Sequence, residues 1–380
     1  MTAERVDVVV IGAGIVGASC AYQLALRGLR VVVLEKGAAP ALGSSGRSAA
    51  GVRVQFTTPS NVLLSKLSLA AYRRFPEAHG LDVGYRPIGY LLLVPEARWA
   101  DHLEAVALQH DLDVPVDVVT PAEAQRWVPF EEHGLAGATH GPIDGVVDPH
   151  LATHAFVTLA RRAGAELRLS CAATGFRRNG DGWQVDTPHG ALLAGQIVNA
   201  AGPWAGEVAE LAGLDVPVVP MRRHVYISAP RQDESILPLT IDLGTGFWLR
   251  SEGDRVLFGL SKQDQAPGFV EGMDEDWLEQ VLVTGSERFP WLADLGVDLR
   301  SCWPGFYEVT PDHDPILGRH PDAEGWVDAA GFSGHGICHA PATGQVIAEL
   351  VADGEASSVD LRAYRHGRFS SHRRGEANII

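Results

Sequence analysis

A chain of 380 residues is too long for one simple hydrophobic core, so two domains are expected. Its formal net charge of −16 argues against nucleic acid or an anionic membrane surface as a partner, and no apolar run is long enough to span a bilayer. The four cysteines, Cys20, Cys171, Cys302 and Cys338, stand far apart with no C-x-x-C pair; with no signal peptide in the first five residues, they point to reduced thiols in a cytoplasmic protein.

The chain opens on its most informative stretch. Val6, Val8, Val9, Val10 and Ile11 form a short β-branched run, the mark of a buried parallel strand. Gly12, Gly14 and Gly17 follow at G-x-G-x-x-G spacing. The first glycine turns the strand sharply, the second lets a pyrophosphate approach the backbone, and the third lets a helix pack close to the sheet. The helix expected over 15–27 aims its free N–H groups, from Ile15 and Val16 onward, at those phosphates. A second buried strand over 30–34 ends at Glu35, whose carboxylate can accept hydrogen bonds from both ribose hydroxyls of an adenosine. An acidic residue there argues against a 2′-phosphate and hence NADP. The motif by itself does not separate NAD from FAD.

Next comes a loop over 37–51. Ser44, Ser45, Gly46, Arg47 and Ser48 suit a wrap around phosphate and ring edges through backbone N–H groups, and Arg47 either neutralises a phosphate or faces solvent. Arg53 follows in GVRVQF. Leu63, Leu64, Leu67 and Ala71 recur at helical spacing over 59–74, a strand-like pattern covers 83–94, and a helix is expected over 96–110. Thr120 to Glu123 resembles a capping box that opens a short helix, 128–145 reads as loop-rich, and Asp148-Pro149 opens a helix running to 164. Short strands are expected over 167–171, 183–187 and 191–197. They end in NAAGPW, small residues where backbone or ligand comes close. A strand within 216–230, a hairpin of 246–250 with 255–260, and an amphipathic helix over 274–289 follow. After CWPGFYEVTPDHDPILG and the strand WVDAAGF, the loop SGHGICHAP precedes a helix carrying Val346, Ile347, Leu350 and Val351. That loop is a second place where N–H groups can meet a polar ligand edge. The basic stretch 362–374 reads as a solvated end.

Together the first motif, NAAGPWA, TPDHDPILG and GFSGHG resemble the FAD-dependent amine and amino-acid oxidoreductases of the D-amino-acid oxidase superfamily. Within it the chain most resembles the sarcosine oxidase branch. SSGRSAAGVRVQF, CWPGFYEVTPDHDPILG and GFSGHGICHAPATG are similar to the flavin-carrying β subunits of sarcosine oxidases and proline dehydrogenases, and the likeness spans nearly the whole chain. It implies an α/β (α+β) fold. A Rossmann-like FAD-binding domain would comprise 1–78, 145–215 and 300–380, and a substrate-binding domain, 79–144 with 216–299, would roof the flavin with an antiparallel sheet and helices. It also implies FAD contacts at Gly12, Gly14, Ile15, Val16, Gly17, Glu35, Lys36, Ser44, Ser45, Arg47, Ser48, Ala200, Gly202, Trp204, Gly305, Gly331, Ser333, Gly334, His335, Gly336 and Ile337.

The implied reaction is the cofactor's: a neutral amine gives a hydride equivalent from its α C–H to flavin N5, leaving an imine that is hydrolysed or stays cyclic. Arg53 matches the family's substrate arginine with a one-residue slip, although a structural ion pair uses the same guanidinium geometry. Arg222, Arg223 and Arg250 are reserves. Tyr307, before TPD, matches a pocket tyrosine, Trp248 falls near a pocket aromatic, and His335 is expected beside the flavin ring.

Three departures from the family matter. Gly305 stands where some members attach flavin through cysteine, with Cys302 three residues too early, so non-covalent FAD is expected. Leu257 and Ser261 replace a lysine and a histidine over the flavin, which makes oxygen a poor acceptor, with Lys262 close by. Cys338 replaces a carboxylate-binding lysine, which suggests a larger, less polar or differently anchored substrate than sarcosine. His335 with His339, and Asp312-His313-Asp314, have metal-like composition but sit in flavin-family loops, so no metal is expected.

The expected partners are a small amine or amino-acid substrate and oxygen or another electron acceptor. Other readings stand beside this one. The chain could be a β subunit inactive without partner chains, or a glycine or D-amino-acid oxidase. A NAD-linked dehydrogenase using the first motif alone would leave the small-residue loops after Glu35 and at 331–336 unexplained.

Overall fold

The computed structural model describes residues 4–232, 235–370 and 376. Its first large sheet grows from the strand Glu4–Ile11, which pairs in parallel with Val31–Leu34 on one side and Gly190–Asn199 on the other. Glu166–Arg168 and Trp326–Ala330 extend the two edges in parallel, and Ile316–Arg319 closes one of them antiparallel. Gly175–Asn179 and Gly182–Thr187 branch off Gly190–Asn199 as an antiparallel hairpin.

Both faces of this sheet are buried, which is why its first strand reads as a continuous apolar run. Val8 and Val10 join the core beneath the helices Ile15–Leu26 and Gly336–Ala352, while Val9 and Ile11 pack on the opposite face with Ile197, Trp183 and Trp326. Close approach of the first helix depends on a missing side chain: a Cβ on Gly17 would lie 2.0 Å from the Gly12 carbonyl oxygen.

The second sheet has eight strands in the order Trp303–Val309, Val219–Ile227, Arg255–Gly259, Trp248–Glu252, Leu239–Asp242, Tyr90–Pro95, Leu135–Gly141 and Asp117–Val119. It is antiparallel except where Leu239–Asp242 runs parallel to Tyr90–Pro95. One face buries Leu91, Tyr226 and Phe258 with Val281 of the helix Glu275–Arg288. The other buries Tyr90, Val225, Ile227, Trp248 and Leu257.

Several sequence expectations need correction. The stretch 128–145, expected to be loop-rich, contains the seven-residue strand Leu135–Gly141. Small residues hide it: Gly137 is needed because a Cβ there would meet the Trp99 ring at 2.3 Å. Trp303–Val309 was not foreseen as a strand, and although it falls in the segment 300–380 it pairs with Val219–Ile227 in the second sheet. SGHGICHAP is loop only as far as His335; the helix begins at Gly336 and runs through Pro341. The basic end is not a solvated tail throughout. Arg368 is buried, ion-paired to Asp312 at 2.7 Å and donating to the Asp314 carbonyl at 2.6 Å, while 371–374 lie outside the described residues. The two predicted caps are present: Asp148 accepts from the His150 and Leu151 N–H groups, and Thr120 and Glu123 cap each other.

Candidate active site

A cleft of about 1020 Å³ opens at the C-terminal ends of the parallel strands. Gly12, Gly14, Ile15, Val16, Glu35, Lys36, Ser44, Ser45, Ala200, Gly202 and Trp204 all line it. Gly12 adopts φ +100°, and a Cβ there would stand 2.6 Å from the Ala200 carbonyl oxygen, so both backbone conformation and space demand glycine. Glu35 is held by the turn it faces: its carboxylate accepts from the Ala13 N–H at 2.8 Å and the Gly37 N–H at 2.7 Å. Ser45 Oγ accepts from the Ile15 N–H at 3.0 Å and so ties the serine loop to the first helix. The Lys36 ammonium lies 3.3 Å from the centroid of the Trp204 ring, and burial pushes its pKa down.

A second cleft, of about 1180 Å³, joins the first through Ile15, Val16, Ser44, Ser45 and Glu308, which line both. Arg47, Ser48, Arg53, Trp248, Gly305, Tyr307, Gly334, His335, Gly336, Ile337 and Cys338 line it too. Arg53 is only 3% exposed; its guanidinium stands 3.3 Å from His335 Nε2, donates to the Gln55 carbonyl, and lies 4.5 Å from the Phe56 ring centroid. A guanidinium can only donate, so His335 accepts at Nε2 and carries its proton on Nδ1. Burial, Arg53, His339 and His313 hold His335 well below the ordinary histidine range, so it is neutral. Arg223, on the strand paired with that of Tyr307, lies 5.2 Å from the Tyr307 ring centroid. Cys338 donates its thiol to the Gly51 carbonyl at 3.1 Å, and burial pushes its pKa up to about 11.

Some expected residues do not line either cleft. Gly17 acts through packing alone. Gly331 and Ser333 shape the turn behind the cleft at φ +78° and +49°. Leu257 is buried in the apolar face with Trp248 and Ile227, because strand alternation and cross-strand packing carry it into the core. Arg222 is committed to Asp274 and Arg250 to Glu252 and the Ala49 carbonyl, leaving Arg223 as the reserve arginine on the cleft. Lys262 is held by Asp274 at 3.0 Å.

The metal-like residues have other contacts. Asp312 binds Arg368, Asp314 accepts from Asn61 Nδ2 at 2.8 Å, and His339 is buried on the helix between Phe56 and Phe332. Two of the buried carboxyls that escaped the sequence reading belong to the site: Glu308, at the junction of the clefts, and Asp144, which supports the Arg53 segment by accepting from the Val54 N–H at 2.9 Å. The available signal for Glu308 was a carboxylate beside Tyr307 in an otherwise uncharged run.

Residues 7–350 match the DAO family, described as FAD dependent oxidoreductase, which overturns the nicotinamide reading. The chain is 30% identical over 419 residues to FAD-dependent oxidoreductase domain-containing protein 1 of Xenopus laevis, covering 97% of this chain and 83% of that protein. It is 30% identical over 403 residues to mitochondrial dimethylglycine dehydrogenase of Homo sapiens, covering 98% of this chain but 46% of the relative, about half its length. The L-proline dehydrogenase structure from P. horikoshii superposes with a TM-score of 0.90 at 30% identity, covering 97% of this chain and 99% of that one. The residues present fit an extended FAD: a glycine cradle and a carboxylate fill the first cleft, and it continues into a second wide enough for a ring and a small substrate.

Proposed function

The chain belongs to the DAO family of FAD-dependent oxidoreductases, and we propose that it oxidises the C–N bond of a secondary amine or amino acid, sarcosine- or proline-like, to an imine. One observation carries the reading: two arginines, the buried Arg53 and the half-buried Arg223, share a cleft with Tyr307 and neutral His335, and that cleft continues into the dinucleotide cleft. The likeness to an L-proline dehydrogenase and a dimethylglycine dehydrogenase supports it.

FAD, when bound, supplies the hydride acceptor. The chain's own residues do the rest. Gly12, Gly14 and the serine loop hold the phosphates, and Glu35 the adenosine ribose. Arg53 and Arg223 anchor the substrate carboxylate. Their positive charge also disfavours an ammonium nearby, so the amine binds in the neutral form that can be oxidised. His335 offers its Nδ1–H to the cleft while Arg53 fixes its tautomer, and Tyr90, Trp248 and Leu260 exclude water. We take the FAD-binding unit to be 1–78, 145–215 and 300–380 and the substrate-binding unit 79–144 with 216–299, with Trp303–Val309 crossing between them.

The flavin is held without a covalent link: Gly305 offers no nucleophile, and the Cys302 thiol donates to the Asp298 carbonyl. Oxygen is a poor acceptor, because Lys262, the residue after cleft-lining Ser261, is paired with Asp274, and Lys36 lies over the Trp204 ring in the dinucleotide cleft. Four unpaired cysteines suit a cytoplasmic protein.

The test is anaerobic titration of the purified holoprotein with sarcosine, glycine, L- and D-proline, pipecolate and N-methylated amino acids. Bleaching of the flavin by at least one of them, followed by slow recovery in air, is expected. A fully occupied flavin that none of them bleaches would overturn the substrate assignment. That result would favour a second reading, a β subunit needing partner chains, which the half-length match to dimethylglycine dehydrogenase suggests.

A further inference from the structure

Glu308 lies on the strand Trp303–Val309 where the two clefts meet, and it lines both. It is 9% exposed and forms no ion pair among the described residues. Its carboxyl accepts from the Gly331 N–H at 2.9 Å and from the Phe332 N–H, and its own carbonyl accepts from the Ser333 N–H at 3.0 Å. Glu308 therefore fixes three successive residues of the turn that leads to Gly334, His335 and the helix Gly336–Ala352.

A buried carboxyl without a cation is costly when ionised. Here it is placed where the phosphate half of the cofactor gives way to the ring half. We propose that Glu308 couples the redox state of the bound flavin to proton uptake, so that it gains a proton when the flavin is reduced and releases it when the flavin is reoxidised. The electrons balance simply. The substrate C–H bond gives both electrons and its hydrogen to the flavin as hydride, which adds one negative charge to the site. Glu308 takes one proton from solvent against that charge and returns it on reoxidation.

The groups that face Glu308 do not remove this coupling. Tyr307 precedes it on the strand, Arg222 and Arg223 lie on the paired strand, Arg47 stands by Gly305, and His335 is on the turn. None forms a hydrogen bond to its carboxyl, and His335 is neutral. Burial pushes the Glu308 pKa up to about 7, close enough to neutrality for a new charge nearby to draw in the proton.

The proposal rests on FAD binding but not on the identity of the amine, and its test uses no amine. The midpoint potential of the holoprotein is measured with redox dyes across about pH 6 to 9, for wild type and Glu308→Gln. Protonation of the flavin itself contributes to both curves and cancels in the comparison. The wild-type potential is expected to fall more steeply with pH, the two curves converging at the acid end and separating at the alkaline end. Parallel curves would mean that Glu308 only props the turn, and would overturn the proposal.

If Glu308→Gln does not retain FAD, the wild type decides alone. Its reduced-minus-oxidised infrared spectrum, with isotope-labelled glutamate, is expected to gain a protonated-carboxyl band on reduction. A spectrum without that gain overturns the proposal. A wild type that holds no flavin would instead overturn the family-level reading.

Discussion

The two clefts are built from different materials. The dinucleotide cleft is largely backbone and small residues from three short stretches: the turn after the strand Glu4–Ile11 with the start of its helix, the loop that follows Glu35, and residues 200–204. The ring cleft is made of long side chains brought from distant parts of the chain: Arg53, Tyr90, Arg223, Trp248, Tyr307 and His335. In the first, function depends on side chains that are absent. In the second, it depends on side chains whose charge and tautomer are set by neighbours far away in sequence. The first should therefore fail through sterics and all at once, and the second by graded electrostatic losses.

The largest expected effect lies in the backbone cleft. Gly17→Val would drive a branched side chain into the Gly12 carbonyl, where even a Cβ reaches 2.0 Å. The helix Ile15–Leu26 would have to leave the sheet, so bound flavin should be lost entirely, with a broadened thermal transition. Flavin absorbance per protein and circular dichroism melting check it. A variant that keeps a full complement of FAD would show that the cleft does not depend on this close contact.

Next comes Arg53→Met in the ring cleft. Losing a charged partner of the substrate carboxylate costs about 1.5–3 kcal/mol, roughly 10- to 100-fold in kcat/KM, while FAD content stays unchanged. Steady-state kinetics with the amine that bleaches the flavin, alongside the absorbance ratio, separates the two. Loss of FAD together with activity would mean that Arg53 serves the fold rather than the substrate.

The same contrast explains what could be read in advance. Gly12, Gly14, Gly17 and Glu35 announce themselves because each spacing has one physical use, and the two caps at Thr120 and Asp148 are as local. Leu135–Gly141 is hidden because its glycines answer to distant side chains, Gly137 to the Trp99 ring and Gly141 to Asp144 and Gln55. Leu257 shares its sheet face with the cleft-lining Tyr90, Val225 and Trp248 yet stays covered by its neighbours, because how far a side chain on that face is covered depends on cross-strand packing that its own strand does not encode. Arg222, Arg223 and Arg250 look alike in sequence; only the positions of Asp274 and Glu252 reveal that Arg223 is the one lining the cleft. Arg368 read as a tail residue because its partner Asp312 lies 56 positions away.

A smaller effect should come from the support beneath Arg53. Burial pushes the Asp144 pKa from 3.8 up to about 7. A carboxyl whose folded pKa is raised gives up stability as pH rises from about 4 to about 7, because the unfolded chain ionises first, and the loss is complete above that range. The ceiling is about 4 kcal/mol at 1.36 kcal/mol per unit. Asp144→Asn removes the dependence. The melting temperature of the variant relative to wild type should therefore rise from about pH 5 to about pH 8, whatever constant penalty the lost bonds to Val54 and Gln55 add. A difference that is flat with pH would mean that Asp144 is ionised in the folded protein and paired with the Arg53 charge.

The smallest effect tests the seam between the regions. Trp204 is sandwiched: Lys36 of the dinucleotide cleft lies over its ring, and Phe269, from the segment between Arg255–Gly259 and Glu275–Arg288, stacks on it at 4.9 Å and 10°. Phe269 also meets Phe306 edge-on at 5.2 Å. The stack thus joins the two halves beside the mouth of the first cleft without contributing to either set of polar contacts. Aromatic pairs of this kind contribute about 0.5–1.5 kcal/mol beyond area burial, so Phe269→Ala should release FAD roughly 2- to 10-fold faster while leaving kcat on a saturated holoenzyme unchanged. Stopped-flow release into an excess of an apoflavoprotein trap measures the first, and steady-state assays in added FAD the second. A fall in kcat with no change in release would mean that this segment serves the ring cleft, so that the division between a steric half and an electrostatic half does not run along the Trp204 stack.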